Sequence, residues 1–182
     1  MREFNIIPIA SGGVIHNVFT RKERKEFIEK VQPYFIDSEE LTLKSGKKHH
    51  EGKQTLPQLH ENKIFSFYYN RILDLINENV EVEGGEWITT QSWMNYHDGT
   101  RKELVWHAHQ CPLVAIYYLQ TTRFFNSGTQ FQKTAVNRNG FVRCAPNSLL
   151  VFPGWLEHSV PLYKFGFDRY TLSLNLGQSE DG

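Results

Sequence analysis

Three histidines and one arginine carry the chemistry most legible in this 182-residue sequence. Trp106-His107-Ala108-His109 sets two imidazoles two positions apart. On an extended strand side chains at that spacing share a face, so both rings can approach one ion from the same side. Taken as a bare His-x-His the pair also fits two surface or hydrogen-bonded histidines. A third imidazole, His158, follows the apolar run Ser148 to Phe152 and the turn Pro153-Gly154-Trp155. Three ligands on one face leave three of six octahedral positions open, which suits iron that must also bind a chelating molecule and O₂. A fourth protein ligand is not evident, which disfavours a closed structural zinc site.

Arg169 lies eleven residues after His158 and opens the run Arg169 to Asn175. Alternation puts Arg169, Thr171, Ser173 and Asn175 on one face and Leu172, Leu174 and Leu176 on the other. A polar face on a core strand needs a reason, because unsatisfied buried polar groups are costly. A pocket for a small polar ligand is one reason, and the planar guanidinium fork is suited to a carboxylate. The solvated side of an edge strand is the other.

The elements that must position these residues divide the chain into halves of different texture. Glu86 onward reads as short strands: Trp87 to Tyr96, Leu104 to His107, Leu113 to Gln120, Ser148 to Phe152 and Tyr170 to Leu176. Asp98-Gly99, Asn126-Ser127-Gly128, Asn139-Gly140 and Pro153-Gly154 separate them as turns. Many short strands joined this way indicate a sandwich or barrel. In the first half, Phe4 to Ile9 reads as a strand ended by Gly12 and Gly13. Thr20 and Glu23 form a capping box for a helix to about Tyr34, with Phe27, Ile28, Val31 and Phe35 as its apolar stripe. A second helix runs from about Glu61 to Asn79, where Ile64, Phe67, Tyr68, Ile72, Leu75 and Ile76 recur at helical spacing. Asp37 to Glu61, with His49-His50-Glu51, reads as a long exposed loop or lid.

We therefore expect one domain over 1–182, mainly β with supporting helices. Residues 1–85 would give helical support and the loop, and 86–177 a double-stranded β-helix (jelly-roll) core, with the N-terminal helices packed on one sheet. Apolar residues make up 40% of the chain and aromatics 14%, enough for one core. Twenty basic and twenty acidic residues cancel, so there is no general electrostatic reason to bind nucleic acid or an anionic membrane surface. No apolar run approaches a membrane span. The N-terminal ten residues are too weakly apolar for a signal peptide, and Cys111 and Cys144 support neither a disulfide framework nor a zinc knuckle. A cytoplasmic setting is the default. The oligomeric state is not legible.

From Trp93 to Leu176 the order of these features resembles the 2-oxoglutarate/Fe(II) oxygenases, in particular their prolyl-hydroxylase-like branch. Asn95-Tyr96-His97-Asp98-Gly99 resembles that family's Tyr-x-x-Gly lead-in, and His107-Ala108-His109 lies where it has His-x-Asp. Ile116-Tyr117-Tyr118-Leu119-Gln120 resembles its Tyr-Tyr-Leu-Asn strand, His158 its distal histidine, and Arg169-Tyr170-Thr171 its Arg-x-Ser/Thr ending. The resemblance implies Fe(II) on His107, His109 and His158. It implies 2-oxoglutarate as co-substrate, its far carboxylate on Arg169 and Tyr118 with help from Thr171, and no catalytic side chain beyond the metal ligands. Tyr117 would then point into the opposite layer. Trp93, Trp106 and Trp155 read as core, and Tyr96, Asn175 and, beside His158, Trp155 are further pocket candidates. The implied reaction is hydroxylation of a C–H bond in a peptide, amino acid or small molecule.

One departure stands out: His109 replaces the usual carboxylate, leaving Fe(II) its full double charge. His109 is either a ligand or a bystander with water in its place. Glu157 would point away from the site, and Asp98 is a remote substitute. Two other readings share the architecture. A cupin-type metalloprotein uses the same His-x-His and later His, but expects a nearby Glu that Cys111 to Ala115 lacks and gives Arg169 no role. A non-catalytic jelly-roll binding module predicts no metal at all.

Overall fold

The computed structural model describes residues 2–7, 10–45, 52–82, 84–98, 106–121, 127–132, 140–160 and 167–179. In chain order the elements are β1 (Arg2–Ile7), β2 (Ala10–His16), α1 (Arg21–Val31), β3 (Ile36–Asp37), α2 (Ser38–Ser45), β4 (Lys53–Gln54), α3 (Ser66–Asn79), β5 (Trp87–His97), β6 (Leu113–Gln120), β7 (Gly128–Phe131), β8 (Gly140–Arg143), β9 (Ser148–Pro153), β10 (His158–Ser159) and β11 (Arg169–Gln178).

Two antiparallel sheets form the jelly roll expected from the strand pattern. The large sheet runs β1-β2-β9-β6-β11-β5-β4-β3, and the small one β10-β7-β8. An isolated bridge from His107 to His158 extends the small sheet beyond β10. β11 therefore lies between β6 and β5 at the heart of the large sheet. This removes the edge-strand reading of its polar face. Arg169, Thr171 and Ser173 are all buried.

The two faces of the large sheet feed two cores. On the outer face Ala115, Tyr117, Leu119, Leu149, Val151, Leu172, Leu174 and Leu176 pack against Phe27 and Val31 of α1 and Tyr68, Ile72 and Ile76 of α3. Between the sheets a smaller cluster holds Val114, Ile116, Tyr118, Phe131, Leu150, Phe152 and Leu156. The α1 capping box forms as expected, Glu23 N donating to Thr20 Oγ1 at 3.2 Å and Thr20 N to Glu23 Oε2 at 2.7 Å.

Three expectations for the first half need correction. It is more than helical support, because β1 and β2 extend one side of the large sheet and β3 and β4 the other. Gly12 and Gly13 do not end a strand. They pair with Phe4 and Glu3, and Gly13 also with Val151, because a strand held on both sides overrides weak local propensity. The segment from Asp37 to Glu61 is also not one exposed loop. It contains α2 and β4, buries Thr55 and Leu59, and is tied to β5 by Gln54↔Asn95 pairing. Gly52 allows that docking: it has φ +96°, and a Cβ there would collide with the Tyr96 carbonyl and the His97 ring. Residues 46–51, which include His49, His50 and Glu51, lie outside the described residues, as do Leu104 and Val105 of the expected strand before His107.

The second helix also differs in phase. A 3₁₀ turn over Lys63–Phe65 precedes α3. Its tighter winding rotates Phe65 and Tyr69 inward and leaves Ile64 and Phe67 exposed. Among the described residues no helix is long and apolar enough to cross a membrane.

Candidate metal and co-substrate site

His107, His109 and His158 converge, with one ring nitrogen from each lying within 4.8 Å of the others. Ring centroids are 4.4 Å apart for His107–His158, 5.2 Å for His107–His109 and 5.1 Å for His109–His158. Backbone pairing sets this approach. His107 N donates to His158 O at 3.1 Å and His158 N returns the bond at 2.9 Å. The 109–112 loop is pinned to the 153–156 turn by His109 N to Gly154 O at 2.8 Å and Gly154 N to Pro112 O at 3.1 Å. Gly154 is buried against the Cys111 carbonyl, where a Cβ would not fit. The Pro-Gly turn thus fixes two of the three histidines relative to each other.

Each ring has its own support. His158 is buried, flanked edge-on by Phe152 at 4.8 Å and by Phe131 at 6.2 Å. Its Nδ1 donates to the Leu156 carbonyl at 2.9 Å. His109 stacks on Trp93 of β5 at 5.7 Å and 10°, and its Nδ1 donates to Asn175 Oδ1 of β11 at 2.7 Å. A carbonyl oxygen can only accept, so Nδ1 carries the proton in both rings and Nε2 keeps its lone pair. Burial, reinforced by the neighbouring His107, pushes His109 down to about 4. Burial and the same neighbour push His158 down to about 3. Both are neutral at neutral pH, as metal ligation requires. His107 is exposed, so the cluster is open on its side. Glu157 and Asp98 are exposed, and neither joins the group of converging donors.

At the other end of the same inner face lies Arg169, 2% exposed. Six residues of extended strand, roughly 20 Å, separate its Cα from that of Asn175. Its guanidinium sits over the Tyr118 ring at 5.3 Å and donates a long bond to Gly128 O at 3.5 Å. Tyr118 is fully buried, its hydroxyl 2.6 Å from Thr129 Oγ1 of β7. Tyr117 points the other way into the helical core, donating to Asn147 Oδ1 at 2.8 Å. Thr171 pairs with Tyr118 in the β11–β6 register and is also buried.

One expected pocket residue lies elsewhere. Tyr96 is on the outer face, packed on Tyr170 and Phe35 and donating to Asp168 Oδ1 at 2.9 Å. The reason is phase, because Tyr96 pairs with Tyr170 while Asn95 and His97 pair with the inner-face residues Thr171 and Arg169. Trp155 is 53% exposed on the turn that leads from β9 to His158. Asn175 does contribute, through His109. Residues not singled out from sequence are Gln91, Thr129 and, as a partner of His109, Trp93. Alternation along β5 (Gln91, Trp93, Asn95, His97) held the signal for two of them, in phase with Arg169 across the β11 register. Beside His109 a cleft of about 820 Å³ opens, lined by Thr90, Gln91, Trp93, Gln110, Cys111 and Asn175 among others.

No protein-family model and no curated protein matches the chain. Solved structures do. A prolyl-4-hydroxylase from Pseudomonas putida superposes with a TM-score of 0.62 at 11% identity, covering 92% of both chains. HygX from Streptomyces hygroscopicus, solved with nickel, 2-oxoglutarate and hygromycin B, gives 0.63 at 15%, covering 92% of this chain and 83% of its own. A 2OG-Fe(II) oxygenase family oxidoreductase from Burkholderia pseudomallei gives 0.62 at 12%, covering 93% and 85%. This chain therefore has the double-stranded β-helix fold of the 2-oxoglutarate/Fe(II) oxygenases.

Proposed function

We propose that the protein is a non-haem Fe(II)- and 2-oxoglutarate-dependent dioxygenase that hydroxylates a C–H bond of a peptide, amino acid or small molecule. One observation carries this: three histidine nitrogens within 4.8 Å lie at one end of an inner face whose other end buries Arg169 over Tyr118. The donor set fits the metal. Two of its rings are neutral and aimed by their Nδ1 bonds, and the third is open to incoming ligands.

In this reading His107, His109 and His158 hold Fe(II), with His109 in the position of the family's carboxylate. Arg169 donates its fork to the far carboxylate of 2-oxoglutarate, and the Tyr118 and Thr171 hydroxyls complete that end. When bound, iron and co-substrate supply O₂ activation coupled to decarboxylation to succinate and CO₂, and oxidation of the substrate C–H bond to an alcohol. Phe131 and Phe152 keep bulk water from the His158 side, which favours an ordered, dry site. The P. putida neighbour is a prolyl-4-hydroxylase and HygX was solved with hygromycin B, so peptides and polar small molecules are the substrates to try first. Cys111 and Cys144 are both unbridged, which fits a reducing, cytoplasmic setting.

Anaerobic addition of Fe(II) and 2-oxoglutarate should give a metal-to-ligand absorption band at neutral pH, lost in His158→Ala and weakened in Arg169→Ala. Succinate should then form in air with a suitable prime substrate. A cupin-type metalloprotein would bind metal but not 2-oxoglutarate, and a non-catalytic module would bind neither. Absence of the band in the wild type would sink the proposal.

A further inference from the structure

We propose that Asn175, hydrogen-bonded to Gln91, is a positioning residue that holds His109 in one tautomer and one ring orientation, so that Nε2 faces the cation. The inference rests on the metal-site reading above and adds a cost that comes with histidine at this position. A carboxylate presents equivalent oxygens and needs no such selection. An imidazole has two tautomers and two ring orientations, and only one of the four combinations aims an unprotonated Nε2 at the other two histidines while Nδ1 is protonated.

The structure holds that combination with side chains alone. His109 Nδ1 donates to Asn175 Oδ1 at 2.7 Å. An amide is itself nearly symmetric, and the reverse orientation would present an NH₂ to the ring and favour the wrong tautomer. Asn175 Nδ2 donates to Gln91 Oε1 at 3.0 Å, and in this arrangement the amide oxygen of Asn175 is the atom that faces His109. Asn175 and Gln91 are register partners across β11 and β5, immediately before the bulge that follows Asn175. Trp93, two residues along the same face of β5, lies parallel to the ring and opposes its rotation. The arrangement is needed because the cleft beside His109 brings water to this side, and water could satisfy Nδ1 in any orientation. His158 requires no such device, since its anchor is the Leu156 backbone carbonyl, which can only accept.

The test uses the full chain, with thermal unfolding to confirm that each variant is folded. In metal-free protein, ¹⁵N NMR of labelled histidine should show His109 as the Nδ1–H tautomer in the wild type, with that signature lost in Asn175→Leu. Anaerobic Co(II) titration should show affinity reduced about 10- to 100-fold in Asn175→Leu, the usual cost of losing an outer-shell partner. A smaller loss should appear in Gln91→Leu. Asn175→Asp keeps an acceptor on Nδ1 and should bind within a few-fold of wild type. If Asn175→Leu does not fold, Asn175→Asp and Gln91→Leu still decide the question. Asn175→Leu binding Co(II) as tightly as wild type with an unchanged visible spectrum would overturn the inference and leave the metal site standing. So would Asn175→Asp binding no better than Asn175→Leu. Failure of the wild type to bind Co(II) would overturn the metal site and this inference with it.

Discussion

The two faces of β11 make opposite use of the same ten residues. Outward, Leu172, Leu174 and Leu176 are fully buried against the helices and need nothing but shape and contact. Inward, Arg169, Thr171 and Ser173 are buried and Asn175 is half-buried, yet each carries groups that require a polar partner. The neighbouring pair on β6 repeats the contrast, with Tyr117 in the helical core and Tyr118 between the sheets. Dispersion and apolar burial stabilise the outer face, whereas the inner face holds buried polar groups that a well-packed core would replace. Side-chain parity along one central strand therefore separates the apolar packing that keeps the protein folded from the polar face assigned to the proposed site.

Substitutions chosen in pairs test that separation. The largest effect should be Leu174→Ala, which leaves a cavity in the outer core and should cost about 2–5 kcal/mol in urea unfolding, with co-substrate affinity unchanged in the fraction that stays folded. Arg169→Met should behave in the opposite way. Loss of charge-assisted hydrogen bonds should weaken 2-oxoglutarate binding about 10- to 100-fold in equilibrium titration. The midpoint of unfolding should hold or rise, because a buried cation is replaced by an apolar side chain of similar length. Equal destabilisation by both variants would erase the distinction between the faces.

A pH series sharpens the comparison without changing the core. His109 and His158 sit at about 4 and about 3, below the ordinary histidine value of 6.5, chiefly through burial. The unfolded chain therefore takes up protons near pH 6.5 that the native state refuses. Stability is full above that value and falls as the pH drops from about 6.5 toward 4 and then 3. Metal-free wild type should lose unfolding free energy over this window, and a His109→Asn/His158→Asn double variant should show a flatter profile. The smallest effects belong to the adjacent tyrosines. Tyr117→Phe should cost about 1 kcal/mol of stability through its bond to Asn147 and leave 2-oxoglutarate binding unaltered. Tyr118→Phe should weaken that binding by roughly tenfold or less, and should also cost about 1 kcal/mol of stability through its bond to Thr129. Reversal of this pattern would mean that the two side chains serve the faces opposite to those they occupy.

Much of the site was legible because β-structure has a period of two. The polar series from Arg169 to Asn175 declares a shared face whatever it pairs with, whereas His107 makes a single bridge and His109 lies in the loop after it, so strand alternation does not explain their convergence. Element boundaries followed where local chemistry is strong, as at the Thr20–Glu23 cap and the continuous apolar run of β6. Legibility failed where a distant partner decides. The short strands β7, β8 and β10 have too few residues for a pattern, Gly12 and Gly13 sit inside a strand because β1, and at Gly13 also β9, pairs with them, and the helical phase of Ile64 and Phe67 was shifted by a 3₁₀ turn. Tyr96 was misplaced by one residue, which on a strand is the whole difference between faces.

The amino-acid sequence by itself determined which side chains can act together along each strand, since that follows from backbone geometry and needs no partner. Only the tertiary structure decided that β11 is central and not an edge, that His109 is held from the large sheet while His107 and His158 pair in the small one, and that Tyr118 rather than Tyr117 faces Arg169. These are properties of strand order and register, which are set by pairing between residues as far apart in the chain as Gln91 and Asn175, and no local preference encodes them.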